Sequence, residues 1–523
     1  MIKRYFGIAK SNRINTMIAF TISFFLGTGV AYRVCGAFYS LLPLTAVLLF
    51  ALLVTPLSCR FLIYVHSNIH ISFVRNENGR TEIKTVLCIA VILFAYQLPF
   101  FLAFYPGICT YDLPTQVEQY NTGEFYANHP LVHTLYVGII KDIVGDPNQG
   151  YAVSNLIQMA VLDVIIAYMI AWVHDRINRK WVRNLLVIAY AVNPIVIFMS
   201  MSATKDTFFT AFFVWTTILI MKIVDNNNTK ILFIVLTLST VLMLLFRNNA
   251  IYAIIPAIII ILLLIKGHRR MFLSMMLCAV VSLMLFQGVN RLLVRVLDAN
   301  PTSIKEMMSI PAQSDGRIYL LSNDEDDKNI VLEYISKPAK YERYISDPMK
   351  SRLPFDVLDS KCKHFLLDSA ILALKNPICF IDSTLLLTQG YWDILDSPYQ
   401  YERYFLAPYA YKADAVLDSK NVWLKDICQK YLYNTSVFKN TPVIILLNNA
   451  IYIWIIIYCL ARGIYEKDTG KAVITVLPLC YLMTLLLGPA AITRYAFPFI
   501  LLAPVSLIYV LSERGLTKEI NEE

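Results

Sequence analysis

The sequence is short of charged residues and of the residues that build linkers. Only 16% of its 523 residues are charged, whereas 57% are hydrophobic; ordinary globular chains carry about 25% charged residues. Glycine and proline number 18 and 22, too few for a disordered or linker-rich chain. The lack of charge excludes the chain of about three or four soluble domains that this length would otherwise allow. The composition therefore predicts a polytopic membrane protein.

The chain also lacks the short motifs of soluble enzymes. It contains no Walker loop, no HExxH, no GxSxG and no dinucleotide fingerprint. Its ten cysteines show no spacing that indicates a metal site or a redox pair. The net charge of +9 does not indicate a nucleic-acid partner. Residues 291–440 hold 19 basic and 20 acidic residues, so the basic excess lies elsewhere, in short connections between apolar runs.

Twelve apolar runs are candidates for crossing the hydrocarbon core, which takes about 20 residues. The runs lie at 15–33, 40–60, 84–104, 150–173, 183–201, 207–224, 230–246, 250–265, 271–290, 442–461, 472–488 and 495–511. Pro43 and Pro56 interrupt the second run. We expect an all-α membrane protein with about twelve transmembrane helices that contacts the lipid bilayer along most of its length.

Basic residues give these runs a common orientation. Lys and Arg gather in the N-terminal tail and in four short loops, at 74–84, 174–183, 266–270 and 462–471. All five segments fall on one side of the membrane if the twelve spans are right, and loops rich in Lys and Arg stay in the cytoplasm. We expect a multi-pass protein of the cell membrane with both termini cytoplasmic. The basic N-terminus has no small-residue cleavage site, so we interpret it as a retained tail.

This orientation divides the chain into three parts. Residues 1–290 form a transmembrane module with a first outer loop at 105–149. Residues 441–523 form C-terminal transmembrane helices and a cytoplasmic tail. The stretch 291–440 between them is too polar to insert as a whole. We expect it to be a mostly helical extracytoplasmic domain that rests on the outer face of the membrane.

Polar side chains gather near the outer ends of the spans. Asp112 follows the third span and precedes Pro114, a position in which it either caps a helix or carries chemistry. His129-Pro130 opens an amphipathic stretch that is typical of a helix lying in the membrane interface. His129 and His133 are four residues apart and could bind a metal together, although such a pair is more often one face of an interfacial helix.

Two polar groups on the same side lie between spans. Lys205-Asp206 opens the sixth span, where a helix N-terminus favours the Asp but does not explain the Lys. The Lys either snorkels to the headgroups or faces a phosphate. Arg247-Asn248 connects two spans with almost no loop, and it is either a plain turn or part of a site.

Arg494-Tyr495 opens the last span, where the helix macrodipole opposes a cation. Something anionic is therefore expected beside Arg494, either a carboxylate of this chain or a lipid phosphate. The alternative is an arginine that snorkels to the headgroups.

The order of these features resembles the GT-C superfamily of membrane glycosyltransferases, which use sugars linked to polyprenyl phosphate. In that superfamily a carboxylate lies in the first outer loop soon after a span, and an interfacial helix with a His-Pro or Lys-Pro start follows. Tyr111-Asp112 and Asn128-His129-Pro130 match this layout. Further pieces resemble a bacterial branch of the superfamily: Thr204-Lys205-Asp206, Arg247-Asn248-Asn249, the stretch 306–313, and Arg494-Tyr495 before Pro498.

The chain departs from better-known members in three ways. Its outer-loop carboxylate stands alone rather than in an Asp-Glu pair, and two spans precede it where many relatives have one. It has no WWD-type acceptor motif of oligosaccharyltransferases, which disfavours transfer to protein asparagine.

The resemblance implies inverting transfer of a sugar from a polyprenyl-phosphate donor to a cell-envelope glycan on the extracytoplasmic face. Asp112 is then the general base, and we expect partial burial to raise its pKa. Lys205 and Arg494, with Arg247 behind them, are expected to bind the donor phosphate. Five further residues are expected to support the site: Asp206, His129, Tyr111, Tyr495 and Asn248.

Three questions stay open at this point. A divalent cation, Mg²⁺ or Mn²⁺, at Asp112 and Asp206 is one, because some relatives use a metal and others do not. A polymerase or ligase of lipid-linked glycans is a second, and it would release a lipid diphosphate. A polysaccharide or lipid transporter is the third, and it predicts inverted repeats and charges near mid-membrane. No convincing repeat is visible, and Asp163 is the only ionisable residue clearly inside a span.

Overall fold

The structure is a computed structural model, and helices dominate it. In the described part of the chain, four strands of two residues each form two small parallel pairs. The residues described are 13–38, 40–68, 74–75, 81–109, 112–177, 179–225, 230–394, 422–433 and 446–514.

Seven helices of the described chain are long and apolar enough to cross a membrane. They are α1 (Arg13–Cys35), α2 (Leu41–Asn68), α3 (Ile83–Ala103), α6 (Pro147–Ile177), α9 (Lys205–Val224), α12 (Arg269–Val296) and α22 (Thr493–Leu511). Each coincides with an apolar run of the sequence. Each is also long enough to span the membrane, because about 20 helical residues cover the 30 Å hydrocarbon thickness. The protein is thus an all-α polytopic membrane protein, which confirms that part of the prediction.

Two further pairs of helices are long and apolar enough to cross a membrane only when each pair is counted as one span. The axes of α7 (Lys180–Ala191) and α8 (Pro194–Ser200) differ by 62°. Proline at the start of α8 cannot continue α7, and the Asn193 side chain caps the new helix. The axes of α17 (Cys362–Lys375) and α18 (Pro377–Trp392) differ by 106°, again at a proline. With each pair counted as one span, the described residues contain up to nine spans.

Four of the predicted runs form shorter apolar helices. They are α10 (Lys230–Phe246), α11 (Ile251–Leu264), α20 (Asn449–Tyr465) and α21 (Thr469–Leu485). They pack against the longer helices, chiefly α10 on α9, α11 on α21, and α20 on α22. Every predicted apolar run therefore contains a helix, although these four are shorter than a full crossing requires.

The remaining elements connect the apolar helices or follow α12. The strands are β1 (Val74–Arg75), β2 (Ile108–Cys109), β3 (Ser202–Ala203) and β4 (Glu513–Arg514). The other helices are α4 (Asp112–Thr122), α5 (Leu131–Val144), α13 (Ser309–Leu321), α14 (Glu325–Tyr334), α15 (Asp347–Lys350), α16 (Phe355–Asp359) and α19 (Val422–Tyr433), and 3₁₀ turns lie at Asn248–Ala250, Ile304–Met308 and Pro338–Lys340.

The helices that carry the candidate residues lie at the centre of the bundle. Most of α6, α9 and α22 is buried, whereas α1, α2 and α12 lie at the periphery. Peripheral helices expose large hydrophobic side chains, which is expected of surfaces that face lipid. We call the end of the bundle at which α9 and α22 begin the site end, and the end at which they stop the far end.

Helix α18 of the polar stretch enters this bundle. The ring of Trp392 at the end of α18 stacks on Phe25 of α1, with 5.1 Å between ring centroids. Trp454 of α20 donates its indole N–H to the Trp392 carbonyl at 2.9 Å. At its other end, α18 packs against α13. Thus α18 joins the helices of residues 291–394 to the apolar bundle.

Candidate functional site

A short parallel strand pair sets the position of the two central side chains. β2 follows α3, β3 follows α8, and the two strands pair with Cys109 opposite Ala203. Asp112 begins α4 soon after β2, and Lys205 begins α9 soon after β3. Because the register of the pair is fixed, the two helix starts lie side by side at the site end.

Two buried amides of α6 hold this strand pair from inside the bundle. Asn155 Nδ2 donates to the carbonyl of Pro106 at 2.9 Å. Gln158 Nε2 donates to the carbonyls of Ser200 at 3.0 Å and Ser202 at 2.6 Å. Neither residue is among those predicted from the sequence. The signal was present, because they lie three residues apart on one face of an otherwise apolar run.

Asp112 lies between two cations at the centre of the cluster. Its Oδ2 atom is 3.0 Å from Lys205 Nζ and 2.9 Å from Arg494 Nη1. The three side chains are only 13 to 24% exposed. Burial acts to raise the pKa of Asp112, but Arg494 and Lys205 outweigh it and hold that pKa well below its usual range. The prediction of a raised pKa for Asp112 is therefore wrong, because the two neighbouring cations outweigh burial.

His129 extends the cluster through Lys205. Its Nδ1 atom is 3.0 Å from Lys205 Nζ. An ammonium group only donates hydrogen bonds, so Nδ1 accepts and a neutral ring carries its proton on Nε2. Burial, and then the charge of Lys205, lower the pKa of His129 to about 4. The ring is therefore neutral at pH 7, with one N–H donor left over.

A second carboxylate lies behind the first. Asp206 is fully buried and pairs with Arg247. Arg494 Nε lies 3.8 Å from Asp206 Oδ2, so Arg494 reaches both carboxylates of the cluster. Thr204 caps α9 by accepting from the Asp206 N–H at 3.4 Å. The Thr204 hydroxyl also donates to Asp206 Oδ2 at 3.5 Å, so the helix start holds both the backbone and the carboxylate of Asp206.

Aromatic rings hold the two arginines. The Arg247 guanidinium lies 4.4 Å from the Tyr495 ring centroid, 5.3 Å from that of Phe209 and 5.7 Å from that of Tyr481. Arg494 Nη2 donates to the Tyr495 hydroxyl at 3.2 Å. Such contacts stabilise a cation and restrict its side chain. Phe209 and Tyr481 could not be predicted as site residues, because an aromatic residue inside an apolar run is not distinguished in the sequence from its apolar neighbours.

For two of the predicted supporting residues, Asn248 and Tyr111, the described part of the structure gives no contact with the cluster. Asn248 begins the 3₁₀ turn that follows Arg247. Among the described residues, no hydrogen bond or ion pair links the Asn248 side chain to the cluster. Tyr111 lies outside the described residues. Their roles stay predictions.

A divalent cation at Asp112 and Asp206 also stays a prediction. Both carboxylates face basic side chains of the chain itself. The described ranges contain no group of three or more His, Cys, Asp or Glu that could hold a metal ion. His133 points its Nδ1 at Gln116 Oε1, 2.9 Å away.

The cluster carries more positive than negative charge. Its cations are Lys205, Arg247 and Arg494, and its carboxylates are Asp112 and Asp206. With His129 neutral, the net charge of the cluster is +1. The excess positive charge is shared by partly exposed side chains at the ends of two central helices. An anion with one negative charge would neutralise it.

The fold and the site define a polytopic membrane protein with a cationic cluster at one end of its bundle. The chain belongs to a family of unknown function (DUF6020), whose family model matches residues 102–522. All members of the cluster lie within that range, whereas α1 and α2 precede it. No curated protein and no solved structure matches the chain.

Proposed function

We propose that this protein is a membrane glycosyltransferase of the GT-C type. It transfers a sugar from a polyprenyl-phosphate donor to a cell-envelope glycan, with inversion. The observation that carries the proposal is the position of Asp112 between Lys205 and Arg494, partly exposed at the end of an apolar bundle. A lipid-linked sugar reaches such a place with its chain in the bilayer and its phosphate at the surface.

The charge of the cluster supports this donor. A sugar linked to a lipid through a single phosphate is a phosphodiester with one negative charge, which matches the excess of +1. Arg494 can offer two parallel N–H donors to phosphate oxygens, while Lys205 acts as a point charge. Arg247 holds Asp206 and lies behind the arginine that would touch the phosphate.

Donor binding and activation of the base are coupled in this proposal. Without donor, Asp112 is a weak base, because two cations hold its pKa well below the usual range. A donor phosphate competes for Lys205 and Arg494. As their charge is shared with the phosphate, burial comes to dominate and the pKa of Asp112 rises. The carboxylate becomes a better base only when a donor is in place.

The chemical step then balances without a further co-reactant. Asp112 takes the proton of an acceptor hydroxyl, and that oxygen forms a bond to the anomeric carbon. The bond from the anomeric carbon to the phosphate oxygen breaks, and its electron pair leaves with the lipid phosphate. Lys205 and Arg494 stabilise the charge that develops on the leaving group. The free Nε2–H of His129 can donate to the sugar or to the phosphate.

The proposal also fixes the orientation. The site end is the extracytoplasmic face, and both termini are cytoplasmic. The seven long helices, the α7–α8 pair and the four shorter apolar helices make twelve crossings, and the α17–α18 pair is not a crossing. The helices of residues 291–394 then lie on the outer side, next to the donor headgroup. The transporter alternative requires charges near mid-membrane, whereas this cluster lies at the N-termini of α9 and α22.

A transfer assay with defined donors tests the proposal. The purified protein is reconstituted in vesicles with synthetic polyprenyl-phosphate hexoses and pentoses and with cell-envelope glycan fragments. Release of polyprenyl monophosphate and a glycan extended by one sugar are expected with the wild type and not with Asp112→Asn. Transfer from a lipid-diphosphate oligosaccharide alone would establish the ligase instead, and full activity of Asp112→Asn would remove the base.

A further inference from the structure

A second feature of the bundle is a cavity of about 350 Å³ between three apolar helices and the end of α18. Ile18, Ile22 and Leu26 of α1 line one wall, and Ile455 of α20 lines another. Nearly all of the lining is apolar. The cavity lies beside α1 and α2, which expose large hydrophobic side chains at the periphery of the bundle. It is therefore a slot in the lipid-facing surface.

The slot has the depth of one leaflet of a bilayer. Asp393, which closes one end, lies against Gly29 of α1, and Ile18 lies near the other end. Eleven helical residues separate these two positions on α1, which is about 16 Å. Half of the hydrocarbon core measures about 15 Å. A lipid chain that enters from one leaflet would fill the slot without reaching the other.

The polar end of the slot lies at the site end but apart from the charged cluster. Asn448 donates to the carbonyl of Asp393 at 3.0 Å. The neighbouring Asn449 lies 3.4 Å from the hydroxyl of Thr493, which precedes Arg494. The start of α20 therefore stands between the slot and the candidate active site.

An arginine stands at the polar end. Arg33 Nη2 donates to both carboxylate oxygens of Asp393 at 3.0 Å. The Asp393 side chain is 3% exposed, whereas the Arg33 side chain is 40% exposed. Arginine has five N–H donors, and this contact uses one nitrogen. The guanidinium is therefore partly exposed and can donate to a further anion at this end of the slot.

We propose that this slot binds one hydrocarbon chain of a bilayer phospholipid, whose phosphate contacts Arg33. The site is separate from that of the donor and does not depend on the proposed transferase activity. The bound lipid fills a groove that would otherwise expose the contacts among α1, α18 and α20. It acts as a structural ligand of the helices that precede the family match.

Native mass spectrometry of the full chain in mild detergent tests the site. Leu26→Trp fills the slot from α1, and Met17→Trp adds the same bulk to the same helix at a side chain that is 69% exposed and outside the slot. The wild type and Met17→Trp should retain one more phospholipid per chain than Leu26→Trp. Equal numbers in all three proteins would overturn the proposal.

A second variant and a lipid exchange complete the test. Ile455→Trp fills the same slot from α20 and should lose the same lipid, so a failure of Leu26→Trp to fold does not leave the question open. The lipid is then exchanged for phosphatidylglycerol or for diacylglycerol with identical chains. Retention of diacylglycerol should be about tenfold weaker, because a charge-assisted hydrogen bond is lost. Equal retention, or recovery of polyprenyl phosphate in place of phospholipid, would contradict the assignment.

Discussion

Polar clusters lie at both ends of α9 and α22, and they differ in how their charges are matched. At the far end, Arg176 of α6 pairs with Asp225 at 3.0 Å, and both side chains are at most 3% exposed. Tyr509 donates to the other oxygen of Asp225 at 3.1 Å, and the Arg176 guanidinium lies 4.3 Å from the Trp172 ring. At the site end, three cations share two carboxylates and remain partly exposed.

The difference separates a structural contact from a candidate site. The Arg176–Asp225 pair is matched one to one and closed, so it fastens α6 to the loop after α9 and has no charge left for a ligand. The cluster around Asp112 keeps an excess positive charge and an open side. A closed and matched ion pair is typical of a structural contact, whereas a partly exposed cluster of unequal charge is a candidate anion-binding site.

The largest effect is expected from Asp112→Asn. Loss of a general base lowers the rate of transfer by about 10² to 10⁴-fold, with little loss of folded protein. The transfer assay measures it. Asp142→Asn is the matched control, because the Asp142 side chain is 58% exposed and lies on the neighbouring helix α5. An equal loss in both variants would contradict a specific role for Asp112.

Disrupting the ion pair at the far end should lower the stability of the protein and leave its affinity for the donor unchanged. Arg176→Leu leaves Asp225 buried without its cation, which costs about 3–5 kcal/mol. Thermal unfolding in detergent should show a much lower midpoint than the wild type, while donor affinity per folded molecule is unchanged. A variant of normal stability with impaired donor binding would reverse the assignment of the two ends.

A smaller effect is expected from Arg494→Lys. The charge is kept, but the two-pronged contact with phosphate is lost, so donor affinity should fall roughly tenfold. Binding of a polyprenyl-phosphate sugar by native mass spectrometry measures the change. Arg269→Lys, at an exposed position at the start of α12, serves as the control. Unchanged affinity in Arg494→Lys would show that the arginine does not clamp the donor.

The smallest effect concerns pH. Burial and Lys205 lower the pKa of His129 to about 4, below the 6.5 of a free imidazole. Between these values the unfolded chain binds a proton that the folded chain does not, so stability falls as the pH drops from 6.5 to 4. The slope is at most about 1.4 kcal/mol per pH unit for this residue. On acidification the unfolding midpoint of the wild type should fall further than that of His129→Gln, and an equal fall in both would contradict the assignment.

The apolar helices could be predicted from the sequence because hydrophobicity is a local property. The bend between α7 and α8 was missed, since the run 183–201 was treated as one span. Asn193-Pro194 signals a cap and a helix start within it. The entry of α18 into the bundle was not foreseen either. Its contacts with Phe25 and Trp454 join distant parts of the chain.

For the candidate site too, the sequence predicts local features but not the contacts between distant parts of the chain. The topology predicted that Asp112, Lys205 and Arg494 lie on one side, because each follows or begins a span. Their contact is a tertiary property that joins residues 382 positions apart. The pKa of Asp112 depends on those distances, and this is why burial alone predicted the wrong direction.

The most direct test of the cationic cluster is an experimental structure of the full chain with a polyprenyl-phosphonate sugar that cannot be cleaved. We expect the phosphonate oxygens within hydrogen-bond distance of Lys205 Nζ and the Arg494 guanidinium. We also expect the Asp112 carboxylate to have moved away from at least one of the two cations and towards the anomeric carbon. A phosphonate bound elsewhere, with the contacts of Asp112 to Lys205 and Arg494 intact, would contradict the account.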